Sequence, residues 1–314
     1  MSRSRHLVDP QLASLLDAWP TVLVTHDNLA ELRGRQLPIQ AADDCGVDWS
    51  ERFVPGPSDA PDVLVRIYRP RTGQTQRGCI FHIHGGGYVG GSIKELEALH
   101  RPLAAALDCV IVTTEYRLAP ETPFPGAIED CYAALAWTFA NIAELGIDKA
   151  RIGVMGESAG GGLAAALALM ARDRCTYHLA FQHLIYPMID DRTCMQKPHP
   201  FAGEFIWPPE NNAFGWTALL GHEPGRDGVS AYAAAARAKC VGKLPPTFIS
   251  TGALDLFVDE DIAYAQRLIR AGVPTELHVW PGAFHGFDLV PGAAVSEAAQ
   301  AASLAALRRF LAPR

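Results

Sequence analysis

The chain has 314 residues, 49% of them apolar, which suits one large α/β domain with a small appended cap. Its formal charge of -7, with no basic run, argues against nucleic acid or an anionic membrane as a partner. Seven cysteines, an odd number without Cys-x-x-Cys spacing, argue for reduced thiols in the cytoplasm rather than a disulfide framework or zinc site.

In chain order, Met1 to Pro10 carries basic residues with no apolar stretch after them, so no signal peptide is expected. The stretch to about Ser58 fits a core pattern poorly and is set apart as an N-terminal segment, residues 1–58. Beyond it, strand-like segments at 63–68, 79–83, 110–115, 151–155, 181–186, 246–251 and 275–280 alternate with helical stretches. That alternation predicts a mostly parallel, twisted central sheet with helices on both faces. Ser92, with Glu95 three residues on, has the form of a capping box and predicts a helix to Leu107. A second poor fit runs over about 190–228, where Trp207 and Trp216 stand among Pro198, Pro200, Pro208 and Pro209. Aromatics among prolines there fit either a lid over something apolar or anchors that tie the insertion to the core. The longest apolar run follows Gly162 and is too short to cross a bilayer.

Two motifs carry chemistry. The strand at 79–83 leads into His84-Gly85-Gly86-Gly87, and the strand at 151–155 leads into Gly156-Glu157-Ser158-Ala159-Gly160. The second has the form of a nucleophile elbow, in which a serine on a sharp strand-to-helix turn needs small neighbours. An Ala- and Leu-rich helix from Gly161 to Arg172 supplies the required context. Acyl transfer also needs donors aimed at a developing oxyanion, and the backbone N–H groups of Gly85, Gly86 and Ala159 are the candidates. His84 and Gly87 are expected to support that loop. A phosphate loop would want a following lysine, which Tyr88-Val89-Gly90-Gly91 does not offer.

A serine needs a base, and a base needs an orienting acid. His285 lies in a loop directly after the strand at 275–280, whereas His278 lies within that strand. Asp255 follows the strand at 246–251 and is the candidate acid, with Asp259 as the alternative. Asp259, Glu260 and Asp261 also fit the first turn of a helix through Arg270, where carboxylates meet the positive end of the dipole.

These residues, with Tyr116-Arg117-Leu118-Ala119-Pro120-Glu121, Tyr186-Pro187 and Phe284-His285-Gly286-Phe287, resemble the hormone-sensitive-lipase-like carboxylesterases of the α/β-hydrolase fold. The similarity runs from about Asp62 to the C-terminus. It implies Ser158 as nucleophile, His285 as base, Asp255 as acid, and an oxyanion hole from Gly85, Gly86 and Ala159. It further implies a cap built from the N-terminal segment and an insertion after the sixth strand. Many relatives carry Asp at the position of Glu157 and Asp-Pro-Leu where this chain reads Asp255-Leu256-Phe257. Neither departure removes a catalytic group.

The expected organisation is therefore an N-terminal cap segment, 1–58, and a catalytic domain, 59–314, with a cap insertion at about 190–228. The expected activity is hydrolysis of short- to medium-chain acyl esters through an acyl-enzyme, with no metal or organic cofactor. The expected partner is a small-molecule ester, without nucleic acid or stable membrane association. The family often forms homodimers, here through a sheet edge near 275–280. Two alternatives stay open. The same triad serves amide cleavage in the arylacetamide deacetylases, which the chain also resembles. The gibberellin receptors show that the scaffold can become a binding protein after losing the histidine, a position that reads His285 here.

Overall fold

The computed structural model describes residues 2–19, 21–34, 43–197 and 199–313; Pro198 of the expected insertion lies outside the described residues. Eight strands form one sheet: β1 (Val47–Val54), β2 (Val63–Pro70), β3 (Arg77–Ile83), β4 (Val110–Glu115), β5 (Ile147–Glu157), β6 (Gln182–Ile185), β7 (Thr247–Gly252) and β8 (Thr275–Trp280). Their order is β1-β2-β4-β3-β5-β6-β7-β8. β2 runs antiparallel to β1 and β4, and every pairing from β4 to β8 is parallel.

The strands are apolar on both sides because both sides are covered. Ile80, Ile111 and Met155 enter one apolar cluster, while their chain neighbours Phe81, Val112 and Val154 enter another across the sheet. Three helices, α1 (Ala13–Ala18), α2 (Leu29–Gly34) and α3 (Glu97–Leu107), precede β4. Helices α4 (Gly126–Ala140), α5 (Ile142–Leu145) and α6 (Ala159–Arg174) come before β6, and α7 (Pro209–Leu220), α8 (Val258–Arg270) and α9 (Ala294–Leu311) follow it. Residues of α4, α6 and α8 share the larger cluster on one face, and α3 packs with α9 on the other. Helix α6 is buried almost all round, which its run of Ala and Gly permits by letting neighbours approach closely.

Two sequence expectations change. The stretch to Ser58 holds strand β1, paired with β2 along its whole length, so this part of the segment extends the sheet. Six of the eight β1 residues are exposed; a charged edge strand has no buried face to betray it. Ser92 caps only a short 3-10 turn at Ile93–Glu95, accepting from Lys94 N at 3.3 Å, and α3 begins afterwards at Glu97.

The segment before α2 and the insertion after β6 meet directly. Buried Asn211 at the start of α7 accepts from Val24 N at 2.8 Å and donates to Val22 O at 2.9 Å. Ser4 Oγ donates to Glu204 at 2.7 Å. Trp216 is fully buried, its ring 5.2 Å from that of Tyr88, so it anchors α7 to the core. Trp207 is only partly buried and lies against Gly87 so closely that a Cβ there would come within 2.1 Å of the indole.

Candidate active site

Strand β5 ends at Glu157, and Ser158 makes the turn into α6 with φ 57° and ψ -123°. This is a costly conformation for a residue with a side chain, and it persists because the surroundings over-determine it. Ser158 N donates to Ile185 O at 2.9 Å, and Ser158 O accepts from Gly162 N at 3.0 Å and Met188 N at 2.9 Å. The flanking glycines are sterically required. A Cβ on Gly156 would meet Gly160 O at 2.3 Å, and one on Gly160 would meet Ile83 O at 2.1 Å.

The parallel sheet delivers the other candidates to the same end. Asp255 follows β7 and His285 follows β8. His285 Nε2 lies 3.0 Å from Ser158 Oγ, and its Nδ1 lies 2.8 Å from Asp255 Oδ2. Asp255 is fully buried and its second oxygen accepts from Phe257 N at 3.0 Å. An ionised carboxylate can only accept, so Nδ1 carries the proton and Nε2 faces the serine as an acceptor. The aromatic rings of Tyr186 and Phe257 meet the imidazole edge-on, at 4.7 and 5.3 Å. Asp259, the alternative acid, is exposed, and Asp255 makes the contact with His285. His278 sits within β8, paired with Glu276 at 2.8 Å and stacked on Trp280.

The glycine loop after β3 is held from behind. His84 Nδ1 donates to Gly85 O at 2.8 Å, and Tyr116 Oη donates to His84 O at 3.0 Å while its ring stacks on the imidazole. In a trans peptide the C=O and N–H point opposite ways. Holding those two carbonyls therefore turns the N–H groups of Gly85 and Gly86 away from Tyr116 and His84. Gly85 itself is beside the serine, since a Cβ on it would come within 3.4 Å of Ser158 Cβ. Ala159 is the first residue of α6, among the N–H groups that no intrahelical carbonyl reaches. Burial pushes the His84 imidazole below its ordinary range, keeping it neutral.

Several neighbours carried no role in the sequence reading. Tyr186 Oη donates to Asp288 Oδ1 at 2.7 Å, and burial raises the Asp288 carboxyl to about 6. His82 Nε2 lies 3.0 and 2.9 Å from the two Glu157 oxygens. Arg33 of α2 donates to Val89 O at 2.6 Å and Ala119 O at 2.7 Å, next to the glycine loop. Glu260, read as a helix-start charge, is buried instead and accepts from Ile189 N at 2.7 Å, Asp190 N and Thr193 Oγ1. Asp261 is fully buried, and among the described residues no well-formed hydrogen bond reaches either oxygen, although the Thr251 hydroxyl interacts with its carboxyl. The one usable signal was position: Asp261 lies on the helical stripe of Tyr264, Ala265 and Leu268.

Among the described residues, no cluster of three or more His, Cys, Asp or Glu side chains is arranged to hold a metal ion. No helix among them is long and apolar enough to cross a membrane.

Residues 80–289 match a family described as having the α/β hydrolase fold. Carboxylesterase NlhH of Mycobacterium tuberculosis is 35% identical over 317 aligned positions, covering 97% of this chain and 96% of the relative. Arylacetamide deacetylase of Bos taurus is 32% identical over 72% of each chain. Among solved structures, a bacterial heroin esterase superposes with a TM-score of 0.91 at 40% identity, covering 98% of this chain and 99% of that one. The chain belongs to the α/β-hydrolase family, in its branch of hormone-sensitive-lipase-like carboxylesterases.

Proposed function

We propose that this carboxylic ester hydrolase works through Ser158, His285 and Asp255 on small ester substrates of short to medium acyl length. The observation that carries the reading is the continuous hydrogen-bonded line from Asp255 Oδ2 through His285 to Ser158 Oγ. Ser158 attacks the ester carbonyl while His285 Nε2 takes its proton. Asp255 stabilises the imidazolium, and the N–H groups of Gly85, Gly86 and Ala159 receive the oxyanion. His285 then returns the proton to the departing alcohol. Water, activated by the same imidazole, hydrolyses the acyl-enzyme and frees the acid.

A cavity of about 340 Å³ beside Glu157 and Tyr186 supports the size class, being at the small end of ligand clefts. The N-terminal segment and the insertion at 190–228 form the cap in this reading. Trp207 on Gly87 and Arg33 at Val89 would couple cap to oxyanion loop. Seven unpaired cysteines support a cytoplasmic setting. The free side of edge strand β8 is where a homodimer would join.

Ester or amide preference is a matter of leaving-group protonation, and the likeness to a deacetylase keeps amides in the test. Hydrolysis of 4-nitrophenyl esters of rising acyl length, beside 4-nitroacetanilide, decides between them. The expected result is a rate that peaks at short or medium chains and exceeds that of the amide. Faster cleavage of the anilide than of the matched acetate would overturn the ester assignment.

A further inference from the structure

The far half of the glycine loop is strained. Gly86, Gly87 and Tyr88 follow one another at φ 116°, 61° and 66°, and Tyr88 carries a side chain into that left-handed region. Such backbone persists only where its surroundings over-determine it. Part of the restraint comes from the catalytic domain: Tyr88 Oη donates to Met188 O at 2.7 Å, and Tyr88 O accepts from Ala119 N at 3.0 Å. The next carbonyl, Val89 O, is taken by Arg33 Nε at 2.6 Å, from the N-terminal segment.

That bond reaches the oxyanion loop through the backbone. Val89 O and Gly90 N–H are opposite ends of one planar peptide. Gly90 N donates to Gly86 O at 2.9 Å, beside Val89 N at 3.1 Å. Fixing Val89 O therefore fixes a donor that holds Gly86, whose own N–H is one of the proposed oxyanion donors. Arg33 is itself fixed. Its Nη2 donates to Ala119 O at 2.7 Å, and Nη1 and Nη2 grip the two Glu121 oxygens at 2.8 and 2.9 Å. Hydrogen bonds from Arg33 hold the Glu121 carboxyl down at about 2, so the pair stays ionised at any pH where an esterase is assayed. Leu29, one turn earlier on α2, is buried with Val89, Ala119 and Ala218 of α7.

We propose that Arg33 is a positioning residue for ester hydrolysis, through which the N-terminal segment holds the oxyanion loop in its working shape. The proposal rests on the esterase reading above and deepens it. Arg33 acts through the loop, so its effect falls on the transition state, where charge develops on the carbonyl oxygen and donor placement matters most. A slightly displaced loop still admits the ester but receives the oxyanion poorly. The planar guanidinium serves Val89 O, Ala119 O and Glu121 together, and a lysine ammonium can keep only part of that set.

Arg33→Ala, Arg33→Lys and Glu121→Gln are compared with wild type in the full chain. Hydrolysis of 4-nitrophenyl acetate gives kcat and KM, and two inhibitors divide the causes. Ser158 Oγ attacks 1,1,1-trifluoro-4-phenylbutan-2-one, its proton passing to His285 Nε2 while the carbonyl π electrons become a hemiketal oxyanion in the hole. 4-Phenylbutan-2-one has the same carbon skeleton but adds far less readily. In Arg33→Ala, kcat is expected to fall by at least about tenfold with KM changed by less than about threefold. The trifluoroketone Ki is expected to rise by the factor that kcat/KM loses, with the methyl ketone Ki changed by less than about threefold. Arg33→Lys and Glu121→Gln are expected to lie between Arg33→Ala and wild type on both readouts. A smaller fall in kcat, or a fall with unchanged trifluoroketone binding, would overturn the proposal. So would equal weakening of both ketones, since the pocket rather than the loop would then have moved. Should Arg33→Ala fail to fold, the two milder variants carry the same comparison, and unequal weakening of the ketones is again required. Wild type that neither hydrolyses the acetate nor binds the trifluoroketone would instead bring down the esterase reading beneath it.

Discussion

Ser158 sits at φ 57°, in a region that side-chain-bearing residues rarely occupy. Such a conformation costs on the order of 1–3 kcal/mol and survives only under constraint. The constraint is visible in its three backbone partners, Ile185 O, Gly162 N and Met188 N, and in the glycines at either side. Gly160 is the sharper case, because a Cβ there would strike the backbone of a different strand and its loop, Ile83 O at 2.1 Å and His84 O at 2.4 Å. Neither carbonyl can swing aside without moving β3 or the glycine loop. Gly160→Ala is therefore expected to lower esterase activity by more than about tenfold and to lower Tm as well. An active, equally stable Gly160→Ala protein would show that the elbow and loop are looser than these contacts imply. The need for glycine at 160 was legible in the motif. What the residue avoids was not, since His84 is far away in sequence and meets it only across adjacent strands.

At the scale of elements, α8 combines a helix-start function with a buried load. Its N-terminal acids were readable as dipole partners, and Asp259 is indeed exposed. Glu260 and Asp261 turn inward, where Glu260 braces the loop after β6 and the Asp261 carboxyl has little beyond the Thr251 hydroxyl to interact with among the described residues. Burial drives both carboxyls well above their ordinary values. The folded protein thus keeps a proton that the unfolded chain releases near its ordinary value of about 4. Stability from that proton is whole below about pH 4 and is lost as pH rises, by up to about 1.4 kcal/mol per unit for one group. Asp261→Asn removes that dependence while keeping the shape. Its Tm is expected to gain on wild type as pH is raised from about 5 to about 8. A gap between the two that stays constant with pH would mean that Asp261 is ionised in the fold. Strand β8, by contrast, was legible to the residue, because its alternation and flanking turns are local. Strand β1 was not, because an exposed, charged edge is marked only by the neighbour it pairs with.

At the scale of the whole molecule, a parallel sheet gathers residues distant in sequence at its C-terminal edge. The elbow after β5, the acid after β7 and the histidine after β8 meet there for that reason. Chain order and the loop after each strand were enough to nominate Ser158, Asp255 and His285. The cavity between α3 and α9 could not be foreseen, because its walls come from six separate stretches of chain. The same holds for Tyr186 and Asp288, whose contact spans 102 positions.

The account turns on Ser158 as the attacking group, and burst kinetics test it most directly. Wild type mixed with excess 4-nitrophenyl acetate is expected to release nitrophenol in a burst equal to the enzyme present, followed by steady turnover. In Ser158→Ala the burst is expected to vanish, with kcat lower by roughly ten-thousandfold or more. A variant that retains the burst or the wild-type rate would contradict the account, because the acyl group would then be carried elsewhere.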